Sequence, residues 1–323
     1  MFKRILFATD FSAHAEAAKQ VAICLAQRDD KQLWALTVLE PVDEPLSMSS
    51  EPPEVAAKKW ESVVRKVEQA MERKEERRLS RDVAEIEAAG VTVTKLVREG
   101  DPDKEIVAAA KEIGADLIVM GSHSQRNLWD VVLGSTTAKV AKAAPCPVLI
   151  TSHQPPHRGP MAPKRFLLAT DFSAHAKMAE KVALSMAREH GEQHHLWVLA
   201  VIEPSEELPV GAGFVGYVSD SAATELEREL HAEEETEVNQ KLKPIIDAAQ
   251  EAGLKAQALI RHGNPAKEIV KAAIDIEADM IIVGSHSQRH IWEVLLGNTA
   301  EGIAKMAPCP VMIVSHVPEN VLK

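Results

Sequence analysis

The sequence predicts two tandem doubly wound α/β domains, each a five-stranded parallel sheet of the Rossmann-like or flavodoxin-like kind. Three observations carry this. The chain of 323 residues contains the same sequence twice. Within each copy, short apolar stretches of strand length alternate with helix-length amphipathic ones, the signature of β-α-β units. One of those stretches, DLIVM, is apolar without interruption, as expected of a parallel strand covered on both faces.

The repeat is legible at three places. KRILFATDFSAHAEAAKQVA from Lys3 matches KRFLLATDFSAHAKMAEKVA from Lys164. EGDPDKEIVAAAKEIGADLIVMGSHS matches RHGNPAKEIVKAAIDIEADMIIVGSHS, and APCPVLITSH matches APCPVMIVSH. The copies are offset by 161 residues at Asp10 and Asp171 but by 163 at Gly121 and Gly284. A net two-residue insertion is therefore expected, and the divergent middle of the second half is the place the sequence suggests. SHQPPHRGPMAPKR lies between the halves, rich in Pro and Gly and without periodicity. The expected division is residues 1–153, a linker at 154–163, and residues 164–323.

Taken in order, residues 4–8 read as a short buried strand and 13–28 as an amphipathic helix. Ser12, like Ser173 in the second copy, is placed to cap that helix. LWALTVL is the second strand, followed by a Pro- and Ser-rich excursion to about Pro53 and a long charged helix to about Ala89. Opposite charges three and four apart mark that helix as a solvated face laced with ion pairs. VTVTKLV is a third strand, and DPDKEIVAAAKEIG carries a proline suited to the first turn of a helix. DLIVM, a glycine-punctuated loop, a helix from Ser135 and the strand CPVLIT complete the unit. Ligands of such sheets sit beyond the carboxyl ends of the strands, so the residues after strands one, two and four are the candidates for function.

Composition narrows the classes. A formal charge of −11 with no long basic block argues against nucleic acid or an anionic membrane as partner, since phosphates must be neutralised by Lys and Arg. It does not argue against a small anion at a helix N-terminus. The longest apolar run, LWVLAVI, is far short of a membrane span, and the N-terminal apolar stretch stops too early for a secretory signal. Three cysteines without CxxC spacing suit a reducing cytoplasm.

Taken together, ILFATDFS, GDPDKEI, ADLIVMGSHS and LGSTTAKVAKAAPCPVLI resemble the universal stress protein family, and the double occurrence resembles its tandem members. The resemblance covers both halves nearly end to end. It implies the adenine nucleotide alpha hydrolase-like variant of the fold, and ATP or a related adenine nucleotide (ADP or AMP) as cofactor, with Mg2+ held by the phosphates. Nucleotide-binding members carry G-x-x-G-x9-G-[ST] after strand four. The first half matches at Gly121, Ser124, Gly134 and Ser135, and the second at Gly284, Ser287, Gly297 and Asn298. Serine replaces the second glycine in both halves; its hydroxyl can donate to a phosphate. Asn298 replaces the final Ser or Thr and can still donate through its amide.

The resemblance also places a base pocket at Ala8, Thr9, Asp10 and Val38, and at Ala169, Thr170, Asp171 and Val201. It extends the site to Met120, His123 and Thr136, and to His286 and Thr299. Arg126 and Arg289 lie in the loop and suit phosphate geometry.

Each candidate has a plainer reading. Asp10 and Asp171 can simply order the strand-to-helix turn, and Gly134 and Gly297 can be turn glycines. His123 and His286 each stand without a second ligand at metal spacing, so no metal site is expected. LWDVVL and IWEVLL read as apolar plugs, ELPVGAGFVGYVSD as a flap over the second site, and Cys146 and Cys309 as packing residues.

Three functions compete. One is a cytoplasmic stress-response regulator responding to adenine nucleotide. Another is a nucleotide-free interaction module of the same fold with an unknown protein partner. The third is an enzyme, at most a slow ATPase, for which neither a P-loop lysine nor a nucleophile–base pair is present. The two halves are expected to form an internal pseudo-dimer, itself able to pair as a homodimer, and the first half to bind nucleotide more tightly.

Overall fold

A computed structural model of the chain describes residues 1–27, 30–41, 53–122, 133–152, 163–189, 194–203, 220–285 and 296–318. The chain divides into two compact units, Phe2–Met161 and Ala162–Lys323.

The first unit runs β1 (Arg4–Ala8), α1 (Ala13–Ala26), β2 (Gln32–Leu39), α2 (Pro53–Ala88), β3 (Val93–Glu99), α3 (Pro102–Glu112), β4 (Leu117–Gly121), α4 (Ser135–Ala143) and β5 (Val148–Thr151). Its strands lie in the order β3-β2-β1-β4-β5, and every pairing is parallel. The second unit repeats this as β6 (Arg165–Ala169), α5 (Ala174–Glu189), β7 (His195–Ile202), α6 (Asp220–Glu251), β8 (Lys255–His262), α7 (Pro265–Asp275), β9 (Met280–Gly284), α8 (Asn298–Met306) and β10 (Val311–Val314). Its order, β8-β7-β6-β9-β10, is again parallel throughout. In both units the strand order reverses beside the first strand, between β1 and β4 and between β6 and β9. That reversal opens a crevice at the carboxyl ends.

The central strands need cover on both faces. Ile5, Leu6 and Phe7 of β1 and Leu117, Ile118 and Val119 of β4 are all fully buried. In α1, Ala15, Ala18, Ala22 and Ala26 form a small-residue stripe at helical spacing that lets the helix lie close on the sheet.

The register locates the insertion differently from the expectation. Ala8 pairs with Leu36 and Ala169 with Leu199, so the offset is already 163 at the second strand. The two residues lie in α5, which has 16 residues against 14 in α1. The divergent middle of the second half contributes no net length. Smaller shifts occur at element ends. α1 stops at Ala26, and β3 starts at Val93, because Val91 donates its N–H to Ile86 as the chain leaves α2. Gly90 ends α2 at φ +82°, and Gly253 ends α6 at +80°.

One anchor recurs in both units. Asp116 is fully buried and accepts the N–H groups of Lys3 and Arg4 at 2.8 and 2.9 Å. Asp279 accepts those of Lys164 and Arg165 at 2.9 and 2.8 Å. Each aspartate ties the start of the unit's first strand to the start of its fourth. Cys146 and Cys309 are buried beside these carboxylates, and burial first, then the neighbouring negative charge, pushes both thiols well above their usual range. That is a packing environment, not a reactive one.

Candidate functional site

The segment TDFS builds the floor of the site through side-chain bonds to the backbone. Thr9 Oγ1 accepts the N–H of Phe11 at 3.0 Å, and Asp10 Oδ1 accepts that of Ser12 at 3.0 Å. Ser12 Oγ accepts the N–H of Ala15 at 3.1 Å and so caps α1. These bonds hold Phe11 at φ +60°, a left-handed conformation costly for a bulky residue. Arg78 of α2 adds to the restraint, its guanidinium 4.5 Å from the centre of the Phe11 ring. The second unit repeats the arrangement at Thr170, Asp171 and Ser173, with Phe172 at φ +62° and Lys241 over its ring.

Above this floor each unit has an open pocket, of about 680 Å³ in the first and about 670 Å³ in the second. The first brings together Ala8, Thr9 and Asp10 from the end of β1, Val38 from β2, Met120 and Gly121 from β4, and Gly134, Ser135 and Thr136 at the start of α4. The second brings together Ala169, Thr170, Asp171, Val201, Gly284, Gly297 and Thr299. Asn298 opens α8 without lining that pocket; Ala300 and Ser285 line it instead. His123, Ser124, Arg126, His286, Ser287 and Arg289 lie outside the described residues, as does the segment expected to form a flap. Of the two apolar plugs, only Leu133 and Leu296 are described, and both are buried.

Three groups of lining residues were missed by the sequence reading. Glu40 and Glu203 follow the second strand in each unit. Their signal was present as the repeated pair Glu-Pro at 40–41 and 203–204. Pro102 and Ile106 of α3, with Pro265 and Ile269 of α7, form an apolar wall. Leu36 and Leu199 complete the apolar lining.

The motif glycines have structural roles of their own. A Cβ on Gly121 would lie 2.8 Å from both the carbonyl carbon and the Cβ of His14, and one on Gly284 would lie 2.9 Å from the carbonyl carbon of His175. These glycines let the first turn of α1 or α5 approach the end of the fourth strand. Gly134 and Gly297 have ordinary φ values of −57° and −58°, so neither needs glycine for conformational reasons. Their own N–H groups are taken by Ser122 O and Ser285 O. Both are N-caps without a capping side chain. Among the described residues nothing accepts from the amides of the following turn, which stand at the positive end of the helix dipole, where an anion is favoured.

The pockets differ in detail. Thr137 donates to Gly121 O at 2.9 Å, whereas Ala300 occupies that place in the second unit. Glu180 accepts the Thr170 hydroxyl at 3.1 Å. Burial raises the Glu180 pKa above the usual carboxylate value; Thr170 and Lys177 oppose that and Asp171 reinforces it. Among the described residues, one carboxylate group has metal-like spacing: Glu16, Asp82 and Glu85. It lies outside both pockets, and the Lys19 ammonium sits within it.

Comparison with known proteins supplies the remaining evidence. The sequence profile described as the universal stress protein family matches residues 1–152 and again 163–315. A universal stress protein of Methanocaldococcus jannaschii is 31% identical over 156 residues, which is 47% of this chain and 95% of that protein. A universal stress protein of Mycolicibacterium smegmatis is 25% identical over 317 residues, covering 96% of each chain. The crystal structure of a universal stress protein from Archaeoglobus fulgidus superposes with a TM-score of 0.61 at 20% identity, covering 98% of this chain and 97% of that one. That last likeness establishes the tandem fold.

Proposed function

The chain belongs to the universal stress protein family, with two family domains in tandem, and from that premise we propose that it is a cytoplasmic stress-response regulator whose two pockets bind ATP or a related adenine nucleotide. The observation that carries the proposal is the N-terminus of α4, and of α8, which has no capping side chain and lines a pocket that also has an apolar wall. Such a pocket offers amides to phosphates and a dry surface to a base. Asp10 and Glu40 would face the nucleoside end, where a carboxylate can accept from a ribose hydroxyl or an exocyclic amine. Mg2+ would arrive on the phosphates, supplying charge neutralisation. Nucleotide occupancy would then alter which protein partner the chain engages.

A second reading has its own support. Gly121 and Gly284 are explained by helix packing and the Asp10 turn by local hydrogen bonding. A nucleotide-free interaction module would keep these features too. Mass spectrometry of the small molecules released on denaturing gently isolated protein separates the two. An adenine nucleotide in the released fraction supports the first reading; its absence, together with no thermal shift in millimolar Mg-ATP, supports the second.

A further inference from the structure

The two units diverge at an equivalent helix position that bonds a pocket-lining residue in only one of them. Lys19 in α1 and Glu180 in α5 occupy the same place after the helix start. Lys19 is 1% exposed; its ammonium donates to Asp82 at 3.0 Å and to Glu85, both on α2, and pairs with Glu16 at 2.7 Å. The places of Asp82 and Glu85 in α6 are held by Ile245 and Ala248, so no charge faces residue 180 from those positions. Glu180 turns instead to the hydroxyl of Thr170, which lines the second pocket.

This changes what the two pocket threonines can offer. Thr9 Oγ1 accepts the N–H of Phe11, and among the described residues nothing accepts its hydroxyl hydrogen. Thr170 Oγ1 likewise accepts the N–H of Phe172, but its hydrogen is given to Glu180. A threonine hydroxyl has one hydrogen to donate. The first pocket therefore keeps a donor that the second has committed elsewhere.

We propose that Glu180 sets the difference between the two sites: by taking the Thr170 hydrogen it withdraws a donor from the second pocket, so that Thr9 donates to the bound nucleotide and Thr170 does not. The proposal rests on the nucleotide reading above. One net hydrogen bond corresponds to roughly three- to tenfold in affinity, so the first site is the tighter by about that factor.

Titration calorimetry of the full chain with Mg-ATP tests this. Thr9→Val weakens one site three- to tenfold, and Thr9→Ser restores it. Thr170→Val weakens the other by less than twofold, although both valines lose the same kind of turn bond. Glu180→Ala strengthens the second site three- to tenfold, and adding Thr170→Val to it removes the gain. Glu180→Gln, which keeps an acceptor for Thr170, changes little. Equal losses from Thr9→Val and Thr170→Val in a chain that binds ATP overturn this proposal alone, as does a Glu180→Ala chain with unchanged affinity. A parent chain that takes up no ATP overturns both this proposal and the functional reading.

Discussion

Gly121 and His14 are packed so closely that a methyl group on the glycine would lie 2.8 Å from the histidine carbonyl carbon. The neighbouring atoms are the backbone of His14 and Ala15 and the Cβ fixed to it, which cannot step aside as the far end of a flexible side chain would. Gly121→Ala is therefore expected to destabilise the first unit by about 1–3 kcal/mol in the absence of any ligand. Gly284→Ala should do the same to the second, where the corresponding distance is 2.9 Å. Thermal unfolding with no nucleotide present checks this; unchanged melting temperatures would mean the glycines serve the ligand rather than the packing.

Gly134 should behave in the opposite way. Its φ of −57° suits any residue, so Gly134→Val is expected to cost only about 1 kcal/mol of stability, within the range of N-cap substitutions. Its effect should fall on binding, because a branched side chain then stands beside the amides of the first turn of α4. ATP should weaken more than tenfold and adenosine much less. Parallel calorimetric titrations with the two ligands distinguish this from a general loss of the pocket.

Lys19 is held by three carboxylates at the junction of α1 and α2. Burial alone lowers its pKa, but the hydrogen bonds to Glu16, Glu85 and Asp82 outweigh burial and hold it above the ordinary lysine range. Lys19→Ala leaves Asp82 buried without its partner. The expected loss is about 2 kcal/mol, less than the roughly 3–5 of a fully buried pair because Glu16 and Glu85 are half exposed. Denaturant unfolding measures it, and Lys19→Ala with Asp82→Ala should recover part of the loss.

Glu180 makes the second unit respond to acid. Its folded pKa lies above the unfolded value of 4.5, with burial the main cause, so folding favours the protonated form. The ionised group therefore destabilises the unit above its folded pKa, and that penalty disappears as pH falls through 4.5. Glu180→Gln should raise the melting temperature near neutral pH and lose its advantage at pH 4. A difference that is constant with pH would assign the effect to packing instead.

How much of this was readable from sequence depends on the distance between partners. The strands, the Ser12 cap and the end of α2 near Ala89 were legible because propensity and periodicity act over a few residues. The residues that line the two pockets were legible largely through the family resemblance, which named Thr9, Asp10 and Val38 as well as Gly134 and Ser135. Glu40 was overlooked although its Glu-Pro pair recurs at Glu203. Asp116 could not be interpreted, since it serves backbone amides 112 and 113 residues earlier. In sequence, nothing distinguishes Lys19 and Glu180 from other charges on an amphipathic helix. Their roles are set by α2 and by Thr170, contacts that only the fold brings together. Gly121 was named for ligand approach, and the structure adds a packing reason that sequence does not separate from it, because an empty Cβ position serves both alike.

Calorimetric titration of the intact, nucleotide-stripped chain with Mg-ATP tests the central claim most directly. The account predicts saturation at two nucleotides per chain, with Gly134→Val and Gly297→Val each removing one and their combination removing both. A chain that gives no binding heat and no thermal shift at millimolar ATP, while remaining folded, would contradict it.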